Sequence, residues 1–158
     1  MMEELKSLAL EISLDYKIDY PLFYSIITVE SGWNPKVMRY ELSYRWTVRP
    51  PDFASALGIT YDTEVQMQKF SYGLCQIMGG KARDLGYGGF LADLLTPRIN
   101  LELGAKIISQ LSSKYGYEPD VISSYNQGTP RKTPGGLFEN QQYVDKVDKV
   151  LREMRKLV

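Results

Sequence analysis

"YSIITVESGWNP", residues Tyr24–Pro35, holds the reading of the chain. Three apolar residues and a threonine, Ile26-Ile27-Thr28-Val29, run directly into a carboxylate at Glu30. Ser31-Gly32 and Asn34-Pro35 then stop the pattern. Steps of four from Leu22 reach Ile26 and then Glu30, so the acid continues a helix's apolar stripe into its last turn. Upstream, Asp19 precedes Tyr20-Pro21, the pattern of a capped helix start. Spacing alone leaves two readings of Glu30 open. One is a helix-end acid turned to water, the common case. The other is an acid in apolar surroundings, where burial and the negative end of the helix dipole both oppose ionisation. An acid that keeps its proton near neutral pH is what general acid catalysis requires.

Working outward, residues 3–18 place Leu5, Leu8, Ala9, Ile12 and Tyr16 at helical spacing. Residues 34–60 are rich in prolines and aromatics and read as a long irregular arm. A helix is expected from about Tyr61 to Phe70, capped by Thr60 or Asp62. "SYGLCQIMGG", residues 71–80, reads as a short strand or a buried turn. Lys81–Leu85 reads as a short helix ended by Gly86. Asn100 is expected to cap a helix with Leu101, Gly104, Ile107, Ile108, Leu111 and Tyr115 on one face, ended by Gly116. Pro119 opens another helix, through Val121, Ile122 and Tyr125 to Gly128. After a loop, "TPRKTPGG", Phe138–Met154 forms the last helix, with Tyr143, Val144, Val147, Val150, Leu151 and Met154 inward. No repeat, low-complexity tract or linker interrupts the pattern. One mainly α domain covering residues 1–158 is expected.

Composition narrows the chemistry. The chain of 158 residues is 44% hydrophobic and 24% charged, with zero net charge, so no long-range field gathers nucleic acid or anionic membrane. It has no histidine, which excludes Ser-His and Cys-His nucleophiles and His-based metal sites. The lone Cys75 cannot form an internal disulfide. No apolar run is long enough to span a membrane. The N-terminus is acidic and lacks the features of a signal peptide, so synthesis in the cytoplasm and delivery by another route are expected. A monomer with no metal and no cofactor is expected.

Four segments then fall in order: "ESGWNP" from Glu30, "SYGLCQIM" from Ser71, "ISSYNQG" from Ile122 and "QYVDKV" from Gln142. Together they resemble the soluble lytic transglycosylases and the goose-type lysozymes, whose pattern is E-S, G-L-M-Q-I, A-Y-N-x-G and a late Tyr-Val. Cys75 stands where that family has Met and Ser124 where it has Ala. The arm is longer than in the common soluble enzymes, and its "RYELSYRW" resembles a compact branch met in phages and prophages. The resemblance implies a lysozyme-like helical domain with at most a short β element near the cleft. It implies cleavage of the β-1,4 bond between N-acetylmuramic acid and N-acetylglucosamine in peptidoglycan, with 1,6-anhydromuramyl products.

Residue by residue, the resemblance implies that Glu30 protonates the glycosidic oxygen and then serves as the base. It implies that Ser31 helps fix that site and that Ser71 and Gln76 line the cleft. Tyr125 and Asn126 would hold Glu30 and the sugar's acetamido group, and Tyr143 would reach in from the last helix. Each also has a plainer reading: Gln76 as a satisfier of buried backbone groups, Tyr125 as core, Asn126 as a helix end. Trp46, in the arm, is a candidate platform for a sugar ring. Lys36, Arg39, Arg45 and Arg49 are weaker candidates for peptide-stem carboxylates. Glu64 reads either as a solvated acid in a helix's first turn or as a second cleft carboxylate, as in paired-acid glycosidases. The rival functions are a goose-type muramidase, in which water takes the last step, and a catalytically idle wall-binding or virion structural domain.

Overall fold

A computed structural model describes residues 1–157. In chain order the elements are α1 (Met2–Tyr16), α2 (Tyr20–Ser31), β1 (Met38–Tyr40), α3 (Pro50–Leu57), α4 (Tyr61–Gln68), β2 (Phe70–Tyr72), β3 (Ile77–Met78) and α5 (Gly79–Asp84). A short 3₁₀ helix (Leu91–Leu95) follows, then α6 (Pro97–Lys114), α7 (Glu118–Gln127) and α8 (Gln141–Lys156). The protein is mainly helical with one small sheet, as a lysozyme-like domain requires. No helix among the described residues is long and apolar enough to cross a membrane. The chain divides into two compact units: Met1–Gly32 with the chain from Gly104 onward, and Trp33–Leu103.

The first unit is a helical cluster. α2 packs against α1 and α8, and α8 packs against α7. The expected stripe is there: Leu22, Phe23, Ile26 and Ile27 of α2 are buried, facing a core that also holds Leu5, Ala9 and Ile12 of α1 and Val144, Val147 and Leu151 of α8. Each of the Leu, Ile, Val and Phe side chains among them contributes about 1.5–3 kcal/mol on leaving water. The start of α2 forms as the sequence dictates. Asp19 Oδ2 accepts from the Leu22 N–H at 3.0 Å, and Pro21 stands in the first turn, where its missing N–H costs nothing. The last helix begins at Gln141 rather than Phe138, because Asn140, before its first turn, turns its side chain onto α7.

The second unit surrounds an antiparallel sheet in the order β1-β2-β3, with Met38 opposite Tyr72, Tyr40 opposite Phe70, and Ser71 opposite Met78. The glycine-flanked segment therefore supplies both a strand pair and the tight turn between them. The arm is less irregular than its composition suggests. Met38–Tyr40 is a strand, and Pro50–Leu57 is a helix with proline in its first turn and Gly58 (φ 67°) closing it. Asn100 does not cap α6. The helix starts at Pro97, and Asn100 lies inside it, buried: its Oδ1 accepts from Cys75 N–H at 2.7 Å, while its Nδ2 donates to Tyr72 O and Leu94 O. Gly73 fits there because it has no side chain; a Cβ at its φ of 71° would lie 2.7 Å from Asn100 Nδ2.

Candidate active site

Glu30 occupies the last turn of α2, half-buried, on the stripe set by Leu22 and Ile26. From α8, Tyr143 donates its hydroxyl proton to Glu30 Oε2 at 2.8 Å, joining residues 113 apart in sequence. A donor fixed on one carboxylate oxygen sets the direction in which the acid points. Ser31 donates to Ile27 O at 3.2 Å and Thr28 to Tyr24 O at 2.8 Å, so both hydroxyls bond back to carbonyls one turn earlier in the helix that carries the acid. The chain then leaves through two left-handed residues, Gly32 (φ 59°) and Trp33 (φ 66°). Glycine takes this conformation freely, whereas a tryptophan there is strained. The Trp33 side chain is buried.

α7 brings Tyr125, half-buried, and Asn126, exposed, to its C-terminal turn in the same unit. Asn126 Oδ1 accepts from Asn140 Nδ2 at 2.9 Å. The neighbouring Ser124 is buried, and its hydroxyl has no hydrogen-bond partner among the described residues.

In the second unit Ser71 and Gln76 meet. Ser71, buried on β2, donates to Gln76 Oε1 at 2.8 Å. Gln76 Nε2 donates to Gly73 O at 2.9 Å and Val37 O at 3.1 Å, and its backbone takes a left-handed φ of 49° at the turn. The Gln76 amide thus satisfies backbone carbonyls, the plainer of its two expected roles, and ties the arm to the turn. Trp46 is 66% exposed. The Tyr44 ring meets it edge-on at 5.6 Å and the Arg45 guanidinium lies 5.6 Å from it. Lys36, Arg39, Arg45 and Arg49 are all exposed.

Glu64 is where the structure departs from both expectations. It is fully buried (0% exposed), so it is not a first-turn acid facing water. Nor does it stand ready as a cleft carboxylate: Arg83 grips it with Nε on Oε1 at 2.6 Å and Nη2 on Oε2 at 3.0 Å. Gln68 Nε2 adds a bond to Oε1 at 3.2 Å, and Gln68 also holds the Val48 backbone from both sides. Arg83 Nη1 donates to Tyr87 O and Gly89 O, and its guanidinium sits 4.3 Å from the Phe53 ring. This polar knot binds α3, α4, α5 and the loop after α5 into one unit. Its electrostatics reach Tyr72. Burial pushes that phenol well above its usual range, Glu64 adds to the shift and Arg83 opposes it.

Sequence reasoning missed Arg83, Gln68 and Asn140. Gln68 lies four residues after Glu64, a spacing that permits the pair. No sequence signal marks Arg83 as buried.

A helix-end acid that accepts from a tyrosine thus stands within a mainly helical, lysozyme-like fold. The comparison with known families agrees. The model of the transglycosylase SLT domain matches residues 7–136, and the chain belongs to that family. No curated protein and no solved structure matches the chain significantly. Membership gives the chain a lytic-transglycosylase-type action on peptidoglycan in general terms. Asn140 and Tyr143 lie beyond the matched stretch, so the bond from Tyr143 to Glu30 is an observation of geometry alone.

Proposed function

We infer that the protein is a lytic transglycosylase that cleaves the β-1,4 bond between N-acetylmuramic acid and N-acetylglucosamine, with Glu30 as its acid and base. The observation that carries this reading is the placement of Glu30: on the apolar stripe of α2, at the helix end, with Tyr143 fixed on Oε2. In the first step the Glu30 carboxyl gives its proton to the glycosidic oxygen as the C1–O bond breaks. The muramyl acetamido oxygen closes on C1 and takes up the developing positive charge. In the second step the Glu30 carboxylate takes the proton of the muramyl 6-hydroxyl, whose oxygen displaces the acetamido oxygen from C1. The product is a 1,6-anhydro ring and no water is consumed.

The state of Glu64 supports this single-carboxylate route. Inverting and most retaining glycosidases use a second carboxylate near the scissile bond, and Glu64, the candidate named for that task, is committed to Arg83. In the first unit Ser31, Tyr125 and Asn126 are proposed to line the sugar site with Glu30; in the second, Ser71 and Gln76 are proposed to contact the glycan and Trp46 to stack on a sugar ring.

Digestion of purified sacculi followed by mass analysis tests the reading. Muropeptides lighter by one water than the reducing forms are expected. Reducing ends alone would make the protein a muramidase on the same bond, and binding without release would make it a wall-binding domain.

A further inference from the structure

The amide at the end of α7 is held in one orientation by a closed chain of hydrogen bonds. Asn140 Nδ2 donates to Ser123 O at 3.0 Å and to Asn126 Oδ1 at 2.9 Å. Ser123 O is a backbone carbonyl and can only accept, so the Asn140 atom facing it must be the nitrogen. Asn140 Oδ1 therefore points the other way, where the Ser123 hydroxyl donates to it at 2.7 Å. That hydroxyl accepts in turn from Gln127 Nε2 at 3.1 Å, whose other bond goes to Arg131 O at 3.2 Å. Every side-chain donor on Asn140 and Ser123 is used.

One consequence reaches the surface. The atom of Asn126 that meets Asn140 Nδ2 must be its oxygen, because two amide nitrogens cannot bond to each other as donors. Asn126 is exposed, so its own Nδ2 is turned outward, away from the pair. We propose that Asn140 is a positioning residue that locks the Asn126 amide with its N–H groups outward, making Asn126 a dedicated donor to the carbonyl oxygen of a substrate acetamido group. The inference rests on the reading of this face as the sugar site. A lock of this kind matters because a free amide flips, and the flipped form sets one carbonyl oxygen against another.

The test is Asn140→Asp. It keeps the shape and suits the helix start, but it sets a carboxylate oxygen against Ser123 O, so some stability is lost and the fold is checked by circular dichroism. A carboxylate can only accept, so the Asn126 amide turns its nitrogen to Asp and its oxygen outward. Binding is measured by calorimetry in a Glu30→Gln background, with the N-acetylglucosamine tetrasaccharide and with cellotetraose, which carries hydroxyls in place of acetamido groups. The background protein is expected to prefer the N-acetylated sugar. Asn140→Asp is expected to lose about tenfold in affinity for it, the scale of one hydrogen bond, and with it the preference. The outward Asn126 side-chain N–H resonances are expected to move on adding that sugar before the substitution and not after. Undiminished affinity and preference in a folded Asn140→Asp protein would overturn the lock while leaving Glu30 untouched. Asn140→Ala, which removes the lock without adding an acceptor, is the second variant. It is expected to lose affinity for the N-acetylated sugar in the same assay, and undiminished affinity in it would equally overturn the lock. A background protein that binds neither sugar, or binds both alike, would overturn the sugar-site reading and the lock with it.

Discussion

Glu64→Gln is the substitution on which the sequence and the structure differ most. Glu64 Oε1 accepts from Arg83 at 2.6 Å and from Gln68 at 3.2 Å, and Oε2 accepts from Arg83 at 3.0 Å. Glutamine replaces one of these oxygens with an N–H₂ group that must face a donor. A charge-assisted bond worth about 1.5–3 kcal/mol is lost, and the Arg83 charge is left buried without its counter-charge. Breaking a buried pair from one side costs about 3–5 kcal/mol. Arg83 keeps its bonds to Tyr87 O at 2.9 Å and Gly89 O at 2.7 Å and its place on Phe53. These hold the loss near the lower end, about 3 kcal/mol. Urea unfolding followed by circular dichroism reads this directly. At a slope of about 2 kcal/mol per molar, the midpoint falls by about 1.5 M. Sacculus-clearing activity per folded molecule stays at the parent level. A stability loss below about 1 kcal/mol (a midpoint shift below about 0.5 M), combined with a tenfold fall in turnover of folded protein, would refute the structural role and return Glu64 to the reaction.

Three further outcomes follow from the same contacts. Tyr143→Phe removes the donor on Glu30 Oε2 and is expected to lower kcat on sacculi by about tenfold, the worth of one hydrogen bond that orients the acid; an unchanged kcat would detach Tyr143 from the acid. Ser124→Ala removes a buried hydroxyl without a partner and gains helix propensity, so the unfolding free energy should rise by about 1 kcal/mol; a loss of stability would show that the hydroxyl is satisfied. Stability should fall as pH rises above about 10, because unfolded tyrosine releases its proton there while buried Tyr72 still holds its own. The folded state then binds more protons than the unfolded one, which gives the negative slope. Tyr20, Tyr44 and Tyr87 shift in the same direction through burial, so Tyr72→Phe should reduce the slope without abolishing it, and an identical slope would rule Tyr72 out as a source.

The parts of the fold that were legible are those written by local spacing. The four-residue steps from Leu22 through Ile26 to Glu30, the Asp19 cap and the Gly32 stop all lie within one helix, so their physics is local. The arm was misread for an instructive reason. Pro50-Pro51 looks like an interruption, but proline in a first turn starts a helix, and Gly58 marks its end. Asn100 carries the composition of a cap, yet its amide serves the backbone of Tyr72, Leu94 and Cys75 from inside α6. Tertiary demand overrode the local preference. Glu64 and Arg83 are 19 residues apart on separate helices, and no periodicity announces their pairing. The Asn140 lock was hidden in the same way, because an Asn beside a helix start reads first as a cap.

If Glu30 carries the proton for bond cleavage, muropeptide release from sacculi by Glu30→Gln reads it. Glutamine keeps the size of the side chain and can still accept from Tyr143 through its carbonyl oxygen, but it has no proton to give the glycosidic oxygen. With the fold checked by circular dichroism, release is predicted to fall by at least about 100-fold, the usual scale of general acid catalysis. A folded Glu30→Gln protein that releases muropeptides at close to the parent rate would contradict the claim.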